Sequence, residues 1–364
     1  MISPKTKRNI YRIIPFGLMW LIFSIVYTLL ERGILGHSNH YPSTGNPYNF
    51  RSAIYLTPIS ATLTGLFLGT LEVLYIHKWF RRLSFGKKIF FKSTIYLIII
   101  SLFLILVTAF SNYLARGTSL FSKQIWDAVW VFSLSIPFLS ILVYIGAIII
   151  VTQFYAEVSE NVGLGVLRNF FTGKYLQPVE EERIFMFLDM KSSTTIAESM
   201  GHVRYFEMLK TYYADLSEPI IEYLGEVYQY VGDEIVVSWR LKNGLQNNNC
   251  IHCFLAMKAA LHLQTDKYLK QYGLLPTFKA GFHMGKVTTG EIGVIKKDII
   301  FTGDVLNTTA RIQDLCNQYG VDNLVSNELI KQLQRPFPFQ IKDLGETTLR
   351  GRGEKITLFS ILSV

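Results

Sequence analysis

Cysteine is scarce in this chain: Cys250, Cys253 and Cys316 are the only three in 364 residues. Three thiols do not make the even-numbered framework of a disulfide-stapled secreted domain. Cys250 and Cys253 form one C-x-x-C inside a helical stretch, CIHCFLAMKAALHL, with no second pair nearby. That argues against a zinc site and for buried helix thiols. Internal repeats and low-complexity runs are also missing. No small-residue cleavage pattern follows the first apolar stretch, so an uncleaved anchor is expected there rather than a signal peptide.

What the chain has in excess is hydrophobic residues, 50% of the total. They concentrate before residue 154, in four runs at 13–30, 53–76, 94–114 and 128–151. Each approaches or exceeds the roughly 20 residues needed to cross a bilayer. Lys5, Lys7, Arg8 and Arg12 precede the first run; Lys78, Arg81, Arg82, Lys87, Lys88 and Lys92 crowd the connection between the second and third. By the positive-inside rule the N-terminus and everything after the fourth span face the cytoplasm, as expected of a multi-pass protein of the inner membrane. The net charge of +9 is then explained by topology and anionic lipid, with no need for nucleic acid. The first external loop, 31–52, reads as a polar connector, contact with an unknown membrane or extracellular ligand being the alternative. In the second run Gly65 and Gly69 form a G-x-x-x-G suited to close helix packing, within the bundle or across a dimer. Glu72 is a functional candidate because it is ionisable within a span. Pro137 predicts a kink in the fourth. Residues 153–182 read as a helical connector that could transmit motion.

Chemistry concentrates after residue 183. An apolar run, 184–188, stops on Asp189, which reads as a buried strand tipped by an acid. Ser192, Ser193, Thr194 and Thr195 follow as N-cap chemistry for a helix, leaving backbone N–H groups free for phosphate. Asp233 sits in VYQYVGDEIVVSW, two alternating runs joined by Gly232-Asp233, a strong hairpin signal. Two convergent carboxylates beside a helix start suit Mg2+- or Mn2+-assisted phosphoryl chemistry. Downstream, TGDVLNTTARIQDL opens a helix that sets Asn307 and Arg311 on one face, four apart, for ribose or phosphate oxygens. LRGRGEK places Arg350 and Arg352 among glycines. The pattern predicts strand 183–189, helices across 194–223, hairpin 226–239, helix 248–272, strand 277–284 and a Gly-rich turn 285–293. Strand 298–302, helix 304–319 and closing strands near 339–345 and 355–362 complete it. The expected fold class is α+β: a four-helix transmembrane anchor (1–152), the connector, and a ferredoxin-like βααββαβ domain (183–364) with helices on one sheet face.

FLDMKSST, VYQYVGDEIVVSW, GFHMGKVTTGEIG, FTGDVLNTTAR and LRGRGE, in this order, resemble the catalytic domain of class III nucleotidyl cyclases, over about 179–364. The four-span anchor resembles that of membrane-bound bacterial adenylate cyclases. The resemblance implies a head-to-tail homodimer that cyclises ATP to cyclic AMP between its subunits. One subunit would supply Asp189 and Asp233 as ligands of two Mg2+ or Mn2+ ions. The same subunit would offer Met190, Lys191, Ser192, Ser193 and Thr194 to the phosphates. The partner would supply Asn307 and Arg311 for ribose and transition state, with Arg350 or Arg352 in place of the family's triphosphate lysine. Lys296 or Lys297 would add phosphate charge. The base-reading positions are Gln229 and Ile300, where adenylate cyclases of this family commonly carry Lys and Asp, Thr or Ser. The alternatives are a guanylate cyclase and a receptor whose cyclase-like domain binds nucleotide with little turnover. A diguanylate cyclase, suggested by VGDEI, lacks the Asn/Arg helix and the arginine-glycine tail.

Overall fold

In hydrocarbon a chain satisfies its own backbone N–H and C=O groups only as helices or a closed barrel; the first three apolar runs are helical throughout, and the fourth is helical on either side of a break at 134–135. In this computed structural model, which describes residues 3–41, 47–80, 83–351, 353 and 355–362, the chain divides into two units. One is Thr6–Arg168, the other Asn169–Val364 with Met1–Lys5. The division falls within the stretch expected as connector.

The N-terminal helices are α1 (Pro4–Leu35), α2 (Phe50–Leu71), α3 (Phe85–Arg116), α4 (Lys123–Ser133) and α5 (Ile136–Val162). A π-helical turn, Glu72–Ile76, carries α2 on to Trp79. Four helices, Pro4–Leu35, Phe50–Trp79, Phe85–Leu114 and Ile136–Val162, are long and apolar enough to cross a membrane. The expected kink at Pro137 is instead a break. α5 starts afresh at Ile136 with Pro137 in its first turn, and the Ser135 hydroxyl accepts from the Phe138 N–H. Proline's missing N–H is harmless in a first turn, and the extended Ser135 before Ile136 (φ −85°, ψ 154°) separates the new helix from the one before it. The small residues of α2 form a seam with α1: a Cβ on Gly65 would lie 2.7 Å from Trp20, and one on Gly69 3.0 Å from Phe16. The G-x-x-x-G therefore serves packing within the bundle.

Lys92 belongs to α3 and is fully buried, not part of a basic loop as the charge pattern suggests. Its ammonium lies 2.5 Å from Glu72 and 2.7 Å from Glu157 of α5. The Tyr96 hydroxyl donates to Glu72 at 2.7 Å, and Lys88 stands 3.2 Å from Glu157. Two lysines thus balance two carboxylates, which is what makes burial of the acids tolerable. Glu72, His77 and Glu157 bring possible metal-ligand atoms within 4.8 Å of one another, but the Lys92 ammonium already bridges the two carboxylates. Arg81 and Arg82 lie outside the described residues.

The second unit runs β1 (Val179–Met190), α6 (Ser193–Met200), α7 (His202–Glu222), β2 (Glu226–Val231), β3 (Glu234–Arg240), α8 (Asn249–Leu263) and β4 (Phe278–Ile292). It continues with β5 (Asp298–Thr302), α9 (Asp304–Asp314), β6 (Asn323–Ser326), β7 (Gln340–Thr348) and β8 (Lys355–Leu362). The sheet order is β2-β3-β1-β4-β6-β8-β7, with β5 paired to β4 and only β4–β6 parallel. The first four strands and their helices give the expected ferredoxin-like arrangement. β1 is apolar without alternation because both its faces are covered. Ile184, Met186 and Leu188 pack with Met208, Tyr212 and Leu216 of α7 and Phe254 and Met257 of α8. Phe185 and Phe187 turn the other way, toward Val305 of α9. Helices therefore lie on both faces of the sheet, not one. Residues 285–292 are strand, not turn, since they pair with β1 and β5. The four-residue β6 is too short to register as a periodic run.

Candidate active site

β1 delivers Asp189 at its C-terminal tip, and the β2–β3 turn delivers Asp233. Val231 pairs with Glu234, leaving Gly232 and Asp233 as a two-residue turn in which Gly232 takes φ +61°, a glycine-first hairpin geometry. Because β3 is the antiparallel neighbour of β1, with Leu188 opposite Ile235, the two acids meet. Burial, then the adjoining Asp233 carboxylate, raises the pKa of Asp189, while Lys279 opposes them. Glu234 is pushed up to about 7 by burial and by the charges of Asp189, Asp314 and Asp233. Negative charge is thus concentrated beyond what the lysine balances. Asp233 Oδ2 is buried without a hydrogen-bond partner. An orphaned carboxylate oxygen beside a second carboxylate is a hard donor set that fits a divalent ion.

Beside Asp189 opens a cavity of about 470 Å³, lined by residues 189–194 and by Lys279, among others. α6 begins after Ser192, which takes φ 56°, and no side chain caps its first turn. Ser192 is therefore not the expected capping side chain. The uncapped amides and the dipole at that start favour an anion. Lys191 pairs with Asp322, which also holds Lys258 at 2.7 Å.

Two polar neighbours of Asp189 escaped the sequence reading. Lys279, opposite Asp189 in the β1–β4 register, puts its ammonium 3.5 Å from Oδ2. Gln313 of α9 donates to the same oxygen at 3.3 Å. A lysine inside a buried strand, FKAGF, is the signal that could have found the first, since unpaired lysine is rarely buried.

Asn307 is exposed and Arg311 half-buried on α9. At about 100° per residue, Gln313 lies roughly 160° around the helix from Arg311 and 120° from Asn307. The side chain that reaches this protomer's acid therefore points away from the Asn/Arg pair. A Cβ on Gly351 would sit 3.8 Å from the Arg311 guanidinium, so the tail carrying the exposed Arg350 passes beside Arg311. Arg352 lies outside the described residues. Lys296 is exposed on the β4–β5 turn, paired with Asp298 at 2.9 Å, and Lys297 stands 3.8 Å from Glu291. Gln229, on β2, and Ile300, on β5, belong to strands joined by their neighbours: the Phe301 N–H donates to the Tyr228 hydroxyl at 3.3 Å and the rings lie 4.8 Å apart.

Residues 176–362 match the adenylate and guanylate cyclase catalytic domain family. Adenylate cyclase 2 of Rhizobium meliloti (strain 1021) is 35% identical over 226 residues, 62% of each chain. Adenylate cyclase of Anabaena cylindrica is 28% identical over 48% of this chain and 36% of its own. The chain thus spans less than two thirds of either relative. A solved bacterial light-regulated adenylyl cyclase superposes with a TM-score of 0.53 at 20% identity, over 62% of this chain and 65% of that one, a likeness of fold.

Proposed function

The chain belongs to the adenylate and guanylate cyclase catalytic domain family, and on that ground we propose that it is a membrane-bound adenylate cyclase. It converts ATP to 3′,5′-cyclic AMP and pyrophosphate at sites shared by two copies. The observation that carries this reading is the meeting of Asp189 and Asp233, one with a buried, unpartnered oxygen, beside an uncapped helix start.

Asp189 and Asp233 would hold two Mg2+ or Mn2+ ions, which neutralise the triphosphate and make the ribose 3′-hydroxyl a better nucleophile. Residues 190–194 and Lys279 line the cavity that receives the phosphates, the amides as donors and the lysine as countercharge. The 3′-oxygen attacks the α-phosphorus, and the bond to the pyrophosphate oxygen breaks. Arg311 from the second copy neutralises charge as it builds, Asn307 orients the ribose, and Arg350 or Arg352 adds charge on the triphosphate. The opposite facing of Gln313 and Arg311 on α9 supports a site divided between copies. Gln229 offers an amide donor and acceptor to the base edge, and Ile300 only apolar contact. Adenine is favoured because the matched curated relatives of Rhizobium meliloti and Anabaena cylindrica are adenylate cyclases. The four spans lodge the enzyme in the inner membrane with N-terminus and catalytic domain cytoplasmic, and regulate it through the connector.

Purified full-length protein assayed with Mn2+ and either ATP or GTP tests the reaction: cyclic AMP should form, and should nearly vanish in Asp189→Ala or Asp233→Ala. Cyclic GMP from GTP, with no cyclic AMP from ATP, would replace adenylate by guanylate cyclase. Equal mixing of Asp233→Ala and Arg311→Ala subunits should restore about a quarter of the wild-type rate, because half the dimers are hybrid with one intact site. No recovery in verified hybrids would refute shared sites.

A further inference from the structure

We propose that Tyr213 is the positioning residue for Asp233: its hydroxyl clamps the two carbonyls that flank this acid and so fixes the carboxylate against Asp189. This rests on the metal-site reading above. Asp233 sits on a two-residue turn where β2, a terminal strand of the sheet, meets β3, and most of β2 is exposed. Hairpin pairing fixes the turn from one side only, through Val231 and Glu234. Tyr213 reaches the turn from α7. Its hydroxyl donates to the Gly232 carbonyl at 2.9 Å and lies 3.3 Å from the Glu234 carbonyl. These are the residues immediately before and after Asp233. The ring is steadied by Tyr230 on β2, 4.6 Å away between centroids, and by Tyr212, 5.5 Å away. Phenylalanine would fill the same space, so packing alone does not explain the hydroxyl. A donor shared by both flanking carbonyls restrains rotation of the peptide planes that aim the Asp233 side chain. Losing a group that orients a metal ligand in this way typically costs about 10–100-fold in metal affinity or activity.

The test uses the full chain in detergent and Tyr213→Phe, which keeps the ring. Mn2+ binding is read from the electron paramagnetic resonance of the free ion, with no nucleotide present to chelate it. Affinity should weaken about tenfold, and the half-saturating Mn2+ concentration for cyclisation should rise by the same factor, more than the rate at saturating metal falls. Unchanged Mn2+ affinity would overturn the inference. Tyr230→Leu removes the ring neighbour but leaves the hydroxyl, and should lower the unfolding temperature with little change in Mn2+ affinity. If it weakens Mn2+ as much as Tyr213→Phe does, general loosening explains both and the clamp is refuted. Asp233→Asn separates the two levels of the argument. If it abolishes Mn2+ binding while Tyr213→Phe has no effect, only the clamp fails; if it leaves binding intact, the metal-site reading fails and takes the clamp with it.

Discussion

Alanine at position 281 is a severe test of how α9 is seated. Gly281 lies in the middle of β4, paired with Phe187 on one side and Leu324 on the other. A Cβ there would stand 2.7 Å from both Cα and Cβ of Gln313 and press on its backbone nitrogen. Ordinary carbon contacts need about 3.5 Å or more, so the helix would have to retreat by nearly 1 Å. Two effects oppose each other. Replacing glycine stiffens the unfolded chain and stabilises by about 0.4–1 kcal/mol where the backbone tolerates alanine. Overpacking costs about 1–3 kcal/mol, and the upper end applies because the obstacle is backbone and not a flexible side-chain tip. The net loss is about 2 kcal/mol. For a unit of this size that lowers the unfolding midpoint by about 4–8 °C. Activity should suffer more, because Asn307, Arg311 and Gln313 all ride on the displaced helix, and a misplacement of about 1 Å can cost on the order of 100-fold in rate. Circular dichroism melting of the 169–364 unit and the cyclase rate of the full chain measure the two effects. Gly290→Ala, on the same strand but meeting only Pro178 at 3.6 Å, is the control and should shift stability by no more than about 0.5 kcal/mol. Equal melting curves and rates for Gly281→Ala and the control would refute the described seating of α9 on β4.

Other consequences can be checked with simpler measurements. Lys92→Met leaves Glu72 and Glu157 without their shared cation and should destabilise the N-terminal unit by about 3–5 kcal/mol, whereas Glu72→Gln/Lys92→Met/Glu157→Gln should recover most of that loss; thermal aggregation in detergent reports both. Gly65→Val should open the α1–α2 seam at Trp20 and speed proteolysis of the bundle. Lys279→Ala should weaken inhibition by tripolyphosphate several-fold without unfolding the domain, as loss of one phosphate countercharge requires. Burial works against the Asp322 carboxylate, but Lys191 and Lys258 hold its pKa below the usual value. A depressed folded pKa stabilises above the unfolded value, near 3.9, and that contribution is lost as pH falls through the folded one. The stability gap between wild type and Asp322→Asn, from urea unfolding, should therefore be larger at pH 7 than at pH 3, and modest because solvent screens the pair.

The candidate site is legible in the sequence wherever a chemical residue type coincides with a local signal. Asp189 ends an apolar run, Asp233 follows a turn glycine, and Asn307 and Arg311 share a helix face. The structure puts the first two together. Lys279 and Gln313 were hidden because their role depends on strand register and on helix rotation, neither of which is a local property. The second sheet face escaped for a related reason: the unalternating run in β1 announces burial on both sides but not which element covers the second. Lys92 is misleading in sequence, because a basic residue near Lys87 and Lys88 looks like interface charge. Only the approach of Glu72 and Glu157 from two other helices shows otherwise. Pro137 alone suggests a kink, whereas Ser135 provides a stop and a new start.

The buried trio of Glu72, Lys92 and Glu157, with the half-buried Lys88 beside it, also bears on how the chain is assembled. These residues come from three helices laid down in order, so synthesis presents an acid first, two bases next and the second acid last. The early acid gains its counterion once α3 is present, but Lys88 and Lys92 gain their second acid only with α5.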